Sequence, residues 1–339
     1  MLLPLAASLL FVIGLIAGKT AGHHGVGPLS ITWGTNMCLG TMFTVFWFLD
    51  DSPVSQADFA RAILLAMLYI AGISLTFLSV HVGDVSIATP LFGLKVLLVS
   101  VALSLIAGQP PSFIIWAAAA LASLGVMTVQ WQGRSKSQGN DSGNPSDIPE
   151  QSDIPEQSDI AEQSDKQRQN NVAFAARAAR GRRSRTWKTV LLACGAASIY
   201  ACFDVLLQNW AQSLAPARLL PMVFWIVMAM MLPLAPRVQW SLISKPEIRG
   251  SYLAAIVFMS GQSLCIAVAL GWFGDAARVN VVLALRGLWG VIFAWAAVRL
   301  IKTYSRGDES QLTRRLWAQR LCGATMLTLA VVLALLGDA

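Results

Sequence analysis

The stretch Gly83-Asp84-Val85-Ser86-Ile87-Ala88-Thr89-Pro90-Leu91-Phe92-Gly93-Leu94-Lys95-Val96-Leu97 is answered later in the chain by Gly274-Asp275-Ala276-Ala277-Arg278-Val279-Asn280-Val281-Val282-Leu283-Ala284-Leu285-Arg286-Gly287-Leu288. Both copies read Gly-Asp, nine residues, Leu, a cation, one residue, Leu. The first lies in an apolar segment that runs to Gly108, the second in one that runs to about Leu300. A cation near the middle of a bilayer costs about 2.5–3.5 kcal/mol or more, so it is retained for a function or a partner. Its presence at matching places in two halves predicts an internal repeat built around a polar cavity, the plan of many secondary transporters.

Composition agrees with a membrane protein. The chain has 339 residues, 55% hydrophobic and 13% charged, where a soluble domain is about 45–50% apolar and about 25% charged. The charges are bunched: residues 133–188 hold ten of the 25 Lys and Arg and eight of the 18 Asp and Glu. The formal net charge of +7 does not point to nucleic acid, because the basic residues cluster beside apolar segments, where they orient a membrane protein. Cys38, Cys194, Cys202, Cys265 and Cys322 all fall inside apolar segments. They form neither a Cys-x-x-Cys pair nor a Cys/His metal spacing, so they read as small apolar filler. No cofactor or metal is expected.

A spanning helix needs about 20 mostly apolar residues. Ten segments qualify: 2–18, 28–49, 62–80, 85–107, 112–129, 189–210, 217–235, 252–270, 276–298 and 319–336. Lipid cannot satisfy a free backbone amide, and these runs do not alternate as barrel strands would, so helix is the expected state. Residues 2–18 resemble the apolar core of a signal peptide, but no Lys or Arg precedes them and Lys19 follows, so a retained first helix is expected. Trp131, Trp187, Trp210, Trp240, Trp272 and Trp317 fall at or near segment ends, as an interfacial aromatic belt requires.

The hydrophilic stretch 133–187 separates a first repeat, 1–132, from a second, 188–339. It contains the hexapeptide Ser146-Asp147-Ile148-Pro149-Glu150-Gln151, repeated from Ser152 and again with Ala161 in place of Pro from Ser158. Its low hydrophobicity and its Pro, Ser, Gln and Glu predict a disordered linker. Its basic end, 176–188, reads as a cytoplasmic anchor for the sixth helix or as a segment lying on anionic lipid.

Apart from Lys95 and Arg286, only Arg61, Arg218 and Arg278 fall on the face of the N-terminus, and the remaining cations fall on the other. The positive-inside rule therefore predicts outside termini and an inside linker. Five spans in each half make the repeats oppositely oriented.

Three ionisable groups lie well inside spans: Lys95, Asp204 and Arg286. If Asp204 pairs with one cation, a substrate anion can serve the other; the alternative is that all three are structural pairs. Tyr200, Asp204 and Gln208 are spaced by four residues and share one helical face. On that face Asp204 is either a proton-coupling carboxylate or a fixed counter-ion. Trp289, one turn beyond Arg286, would stack on the guanidinium or on a substrate, or pack against lipid. Thr89, Asn280 and Gln262 read as interhelical hydrogen-bonding groups. Pro90, Gly93, Gly287 and Gly290 would allow kinks or close packing. The chain has no phosphate-binding loop, dinucleotide fingerprint or zincin helix.

The stretch from Gly83-Asp84-Val85-Ser86-Ile87-Ala88-Thr89-Pro90-Leu91 through Gly125-Val126-Met127, and the second copy opening Gly274-Asp275-Ala276-Ala277-Arg278-Val279-Asn280, resemble the EamA-type proteins of the drug/metabolite transporter superfamily. The resemblance implies export of amino acids, metabolites or drugs, with the fourth and ninth helices lining a central cavity. In the phosphate-translocator branch, basic residues on those helices hold substrate phosphate. Lys95 and Arg286 are placed similarly, which implies an anionic metabolite. The resemblance also implies cytoplasmic termini, against the charge distribution.

The expectation is an all-α membrane protein: ten transmembrane helices in two inverted five-helix repeats, multi-pass in the cytoplasmic (inner) membrane. It would act as a secondary permease for a small-molecule metabolite, with proton coupling through Asp204 as one option, rather than as an enzyme. Its substrate-binding residues would be Lys95, Arg286, Asp204, Tyr200, Gln208 and Trp289. Membrane lipid is the expected surroundings; the sequence does not set an oligomeric state. The rival readings are a lipid-carrier flippase, a membrane scaffold recruiting partners through the linker, and an intramembrane enzyme acting on a lipid-linked substrate, for which Asp50, Asp51 and Asp58 are the carboxylates.

Overall fold

The computed structural model describes residues 1–82, 92–108, 110–130, 187–290, 292–293 and 310–336, and among these there is no strand. The expected linker lies outside the described residues, as do Gly83, Asp84, Thr89 and Pro90. The first half contributes α1 (Leu2–His23), α2 (Pro28–Thr44), α3 (Gln56–Val82), α4 (Lys95–Ile106) and α5 (Phe113–Gln130). The second contributes α6 (Trp187–Ser213), α7 (Pro216–Met231), α8 (Pro246–Val268), α9 (Ala276–Leu283) and α10 (Ser310–Leu336). Helices covering 2–23, 56–79, 187–213, 216–237 and 246–273 are long and apolar enough to cross a membrane. Lys95–Ile106, Phe113–Val129 and Leu321–Leu336 are apolar but shorter.

Local sequence sets the helix boundaries. α2, α7 and α8 open with Pro28, Pro216 and Pro246, where the missing N–H is not needed and the fixed φ already suits a helix. α8 runs on into a π turn, Ala269–Phe273, and stops at Gly274, whose φ of 65° is left-handed. That conformation is open to glycine without a Cβ penalty. Asp275 then caps α9, its side chain accepting from the Arg278 N–H at 3.0 Å, as aspartate does at helix starts.

The helices of the two halves interleave rather than form separate bundles. α1 packs along α8, and α10 along α5; α2 and α3 both pack on α7, and α4 meets α9. Small residues permit the closest approach. A Cβ on Gly323 would lie 2.9 Å from the Gly125 carbonyl oxygen, so the α5–α10 backbones meet almost without side chains between them, the usual means of packing helices in lipid. Ala118, Ala119, Ala122, Leu327, Ala330 and Ala334 continue that seam and are fully buried. The apolar residues left exposed, such as Leu105, Phe113 and Leu191, suit a lipid-facing surface, where burial from water needs no protein neighbour.

Polar ties join the halves at both ends of α2. At its start the Gly27 N–H donates to Gln239 Oε1 at 2.6 Å, and Tyr252 Oη donates to the Ser30 carbonyl at 3.1 Å. At its end the Trp225 indole donates to Thr44 Oγ1 at 2.9 Å, and Arg218 stands 4.3 Å above the Trp47 ring and 3.5 Å from the Asp51 carboxylate.

Candidate functional site

Lys95 and Arg286 each open an α-helical stretch, Lys95 after a 3-10 turn and Arg286 after a break in the helix. A 3-10 turn, Phe92–Leu94, precedes α4, which begins at Lys95. α9 stops at Leu283, the chain turns at 284–285, and helix resumes at Arg286. The uninterrupted ninth span expected over 276–298 is thus broken, with the Ala284 N–H shared between the Asn280 and Val281 carbonyls and the Gly287 N–H donating to Ala284 at 3.1 Å. Such three-residue bonds tighten the backbone and end a helix. Irregular backbone at membrane depth must find partners within the protein. Ser123 of α5 supplies one, its hydroxyl donating to the Gly93 carbonyl at 3.1 Å. Gly93 is needed there, because a Cβ would stand 2.6 Å from a methyl of Val126.

Asp204 of α6 faces this region. Its Oδ2 is 2.8 Å from Lys95 Nζ and accepts from Asn280 Nδ2, also at 2.8 Å. The carboxylate is 3% exposed and the Lys95 side chain 18%. A buried carboxylate needs such compensation, since desolvation alone would drive it neutral. Asn280 also donates to the Ala276 carbonyl at 2.9 Å, so it is held on its own helix while it holds Asp204. Tyr200 and Gln208 flank Asp204 by one turn each. The Tyr200 ring centroid lies 5.5 Å from Lys95 Nζ. Gln208 Oε1 accepts from the Ala276 N–H at 2.7 Å, satisfying a donor in the first turn of α9 that has no helical partner. The face of α6 bearing Tyr200, Asp204 and Gln208 therefore meets α4 and the start of α9, and it is buried by protein.

Arg286 is placed differently from Lys95. Its Cζ stands 5.2 Å from the Phe11 ring centroid, and among the described residues no carboxylate lies within ion-pair distance of it. Trp289 does not stack on it. The indole donates instead to Ser8 Oγ at 2.9 Å, because a buried indole N–H needs an acceptor and Ser8 supplies one. Ser8 and Phe11 are one turn apart on α1 and so share a face. They receive Trp289 and Arg286 respectively.

Lys95 and Arg286 line one small pocket, together with Gly93, Val126, Asn280 and Leu283. It is tight, with space on the order of a single water. Among the predicted residues, the pocket brings together Lys95 and Arg286; Asp204 and Tyr200 stand against Lys95, Gln208 anchors α9, and Trp289 anchors α1.

Sequence reasoning missed the partners on α1. A phenylalanine and a serine inside an apolar run carry no signal of their own. Asn280, read as a helix-joining group, is one, and its partner is the carboxylate at the site. The acidic residues near the α2–α3 connection are engaged in pairs and turns. Asp58 accepts from the Ser55 N–H and pairs with Arg61, and Asp51 pairs with Arg218. Asp50 accepts from the Ser52 N–H at 2.8 Å, and that bond holds its carboxyl below the usual range.

The two halves thus bring their matching cations to one pocket. Residues 1–131 match the model of the EamA-like transporter family. The family resemblance is thereby shown for the first half; the match stops short of the second. This match and the long apolar helices together support an integral, multi-pass membrane protein. None of the curated proteins matches it. A solved structure described as "Crystal structure of protein" is similar in fold, with a TM-score of 0.60 and 13% identity over 97% of each chain. That likeness is one of fold alone, and it spans both halves of the chain.

Proposed function

We propose that this protein is a secondary transporter of a small anionic metabolite, working by alternating access across the cytoplasmic membrane. The observation that carries the reading is the shared pocket: Lys95 from the first half and Arg286 from the second reach the same hollow between the halves. Two inverted five-helix repeats account for the pairing of helices five apart in order, α2 with α7, α4 with α9 and α5 with α10. The seam between the repeats is then the natural plane of motion. The hollow has space on the order of a single water, so a metabolite would need the halves to part before it could enter. Rocking of one repeat on the other would open it to each face in turn. The linker would lie inside and both termini outside, following the Lys and Arg distribution.

The mechanism assigns each group a task. Arg286 receives the substrate anion. Asp204 holds Lys95 and, through Asn280, the first turns of α9, so the position of α9 and the charge on α4 are linked. Displacement of Asp204 from Lys95 by substrate, or its protonation, would release that link and favour movement; a fixed counter-ion would leave it intact. The test is uptake of metabolite anions into vesicles containing the purified chain. Substrate-dependent uptake that Arg286→Ala abolishes supports the reading. No uptake of any anion by a well-folded protein would sink it.

A further inference from the structure

The two cations of the pocket are not equivalent, although the repeat makes them so in sequence. Lys95 is already neutralised by Asp204 at 2.8 Å, and Asn280 fixes that carboxylate in place. Arg286 has an aromatic ring against it and no carboxylate among the described residues. The formal charge of Lys95, Asp204 and Arg286 together is +1. From this we infer that the site selects substrates carrying a single net negative charge, of the monocarboxylate class, over dianions and zwitterions. The inference rests on the transporter reading above and narrows its substrate class.

An uncompensated charge in a low-dielectric interior is costly whichever its sign. A monoanion brings the loaded site to neutrality. A dianion reverses the excess, and a zwitterion leaves it untouched, because Asp204 is committed to Lys95 and cannot receive an ammonium without giving that up. A guanidinium presents its donors as a planar fork that matches a carboxylate in bidentate fashion. Phe11 packs near the Arg286 guanidinium, and an aromatic ring favours the face of such a cation, which leaves the edge of the fork for the substrate. Beside Lys95, Arg286 and Asn280 the pocket wall is apolar, through Val126 and Leu283, and suits an organic rather than a heavily hydrated anion.

The experiment compares solutes of one skeleton. The full chain is purified, and its stabilisation by benzoate, phthalate and phenylalanine is measured at neutral pH; uptake of each is followed in vesicles. Benzoate should bind at least tenfold more tightly than phthalate or phenylalanine. Asp204→Asn makes the sum +2 and should move the preference to phthalate. Arg286→Gln leaves Lys95 and Asp204 alone, makes the sum zero and should remove the preference for benzoate, which keeps the test open if the first variant does not fold. A wild-type preference for phthalate or phenylalanine, no binding of benzoate, or an unchanged ranking in whichever variants fold, would overturn the charge rule. Vesicles that carry phthalate or phenylalanine would break that rule and leave the transporter reading standing. Binding of benzoate without passage of any solute would do the reverse.

Discussion

The Lys95 ammonium and the Asp204 carboxylate meet at 2.8 Å across the two halves of the chain. One lies on α4 and the other on α6, so the pair is a bolt between repeats as well as a charge balance. Removing one partner of a buried pair leaves an uncompensated charge and costs about 3–5 kcal/mol, while replacing both by apolar residues is often neutral. Lys95→Met or Asp204→Leu alone should therefore lower the unfolding temperature in detergent sharply, and the double variant should recover much of it. Additive losses in the double variant would show that the two do not act as a pair.

Arg286 should be needed for transport and less for folding. No carboxylate among the described residues depends on it, so Arg286→Gln should keep membrane insertion and thermal stability while abolishing anion uptake. Arg286→Lys keeps the charge but loses the fork, and it should retain weakened binding. Normal uptake by Arg286→Gln would remove it from the substrate site.

The α5–α10 seam tolerates no side chain at Gly323, where a Cβ would press on the Gly125 carbonyl and the Val129 backbone. Gly323→Val forces backbone shifts, and overpacking of this kind costs about 1–3 kcal/mol. Thermal unfolding of the purified variant should show the loss, and Gly250→Ala, where a Cβ meets nothing within 4 Å, should not. Equal effects at the two positions would refute close packing as the cause.

Trp289, in the helical stretch that resumes after α9, ties that stretch to α1 through its indole N–H and Ser8 at 2.9 Å. Trp289→Phe preserves an aromatic ring and deletes that donor. The loss should be small, about 0.6 kcal/mol by the average for hydrogen bonds between membrane helices. Ser8→Ala should match it, and a double-mutant cycle should show the two effects overlapping. Full additivity would mean that the bond does not hold the helices together.

Orientation is checked by a reporter fused after Ala339. The Lys and Arg distribution predicts an external signal. A reporter that works only in the cytoplasm would reverse the orientation and restore the arrangement implied by the family resemblance.

Much of the architecture was legible because lipid leaves few choices. Long apolar runs must be helices, and Pro28, Pro216 and Pro246 mark helix starts by the same rule in any solvent. The importance of Lys95, Asp204 and Arg286 was legible too, since charge at membrane depth is too costly to be incidental. The break at 284–285 was not. Gly287 and Gly290 permit an interruption without fixing its place, and the place depends on what neighbouring helices offer the freed backbone.

The sequence by itself determined the helical state of the apolar segments and the identity of the charges set within them, since each follows from hydropathy and local chain chemistry. Which cation Asp204 takes was decided by tertiary structure alone. Lys95 and Arg286 occupy matching positions in their copies, but among the described residues α6 brings a carboxylate to the first alone, while α1 brings an aromatic ring to the second. Ion pairing falls off with distance and with the surroundings of the charges, and those are properties of the packed helices.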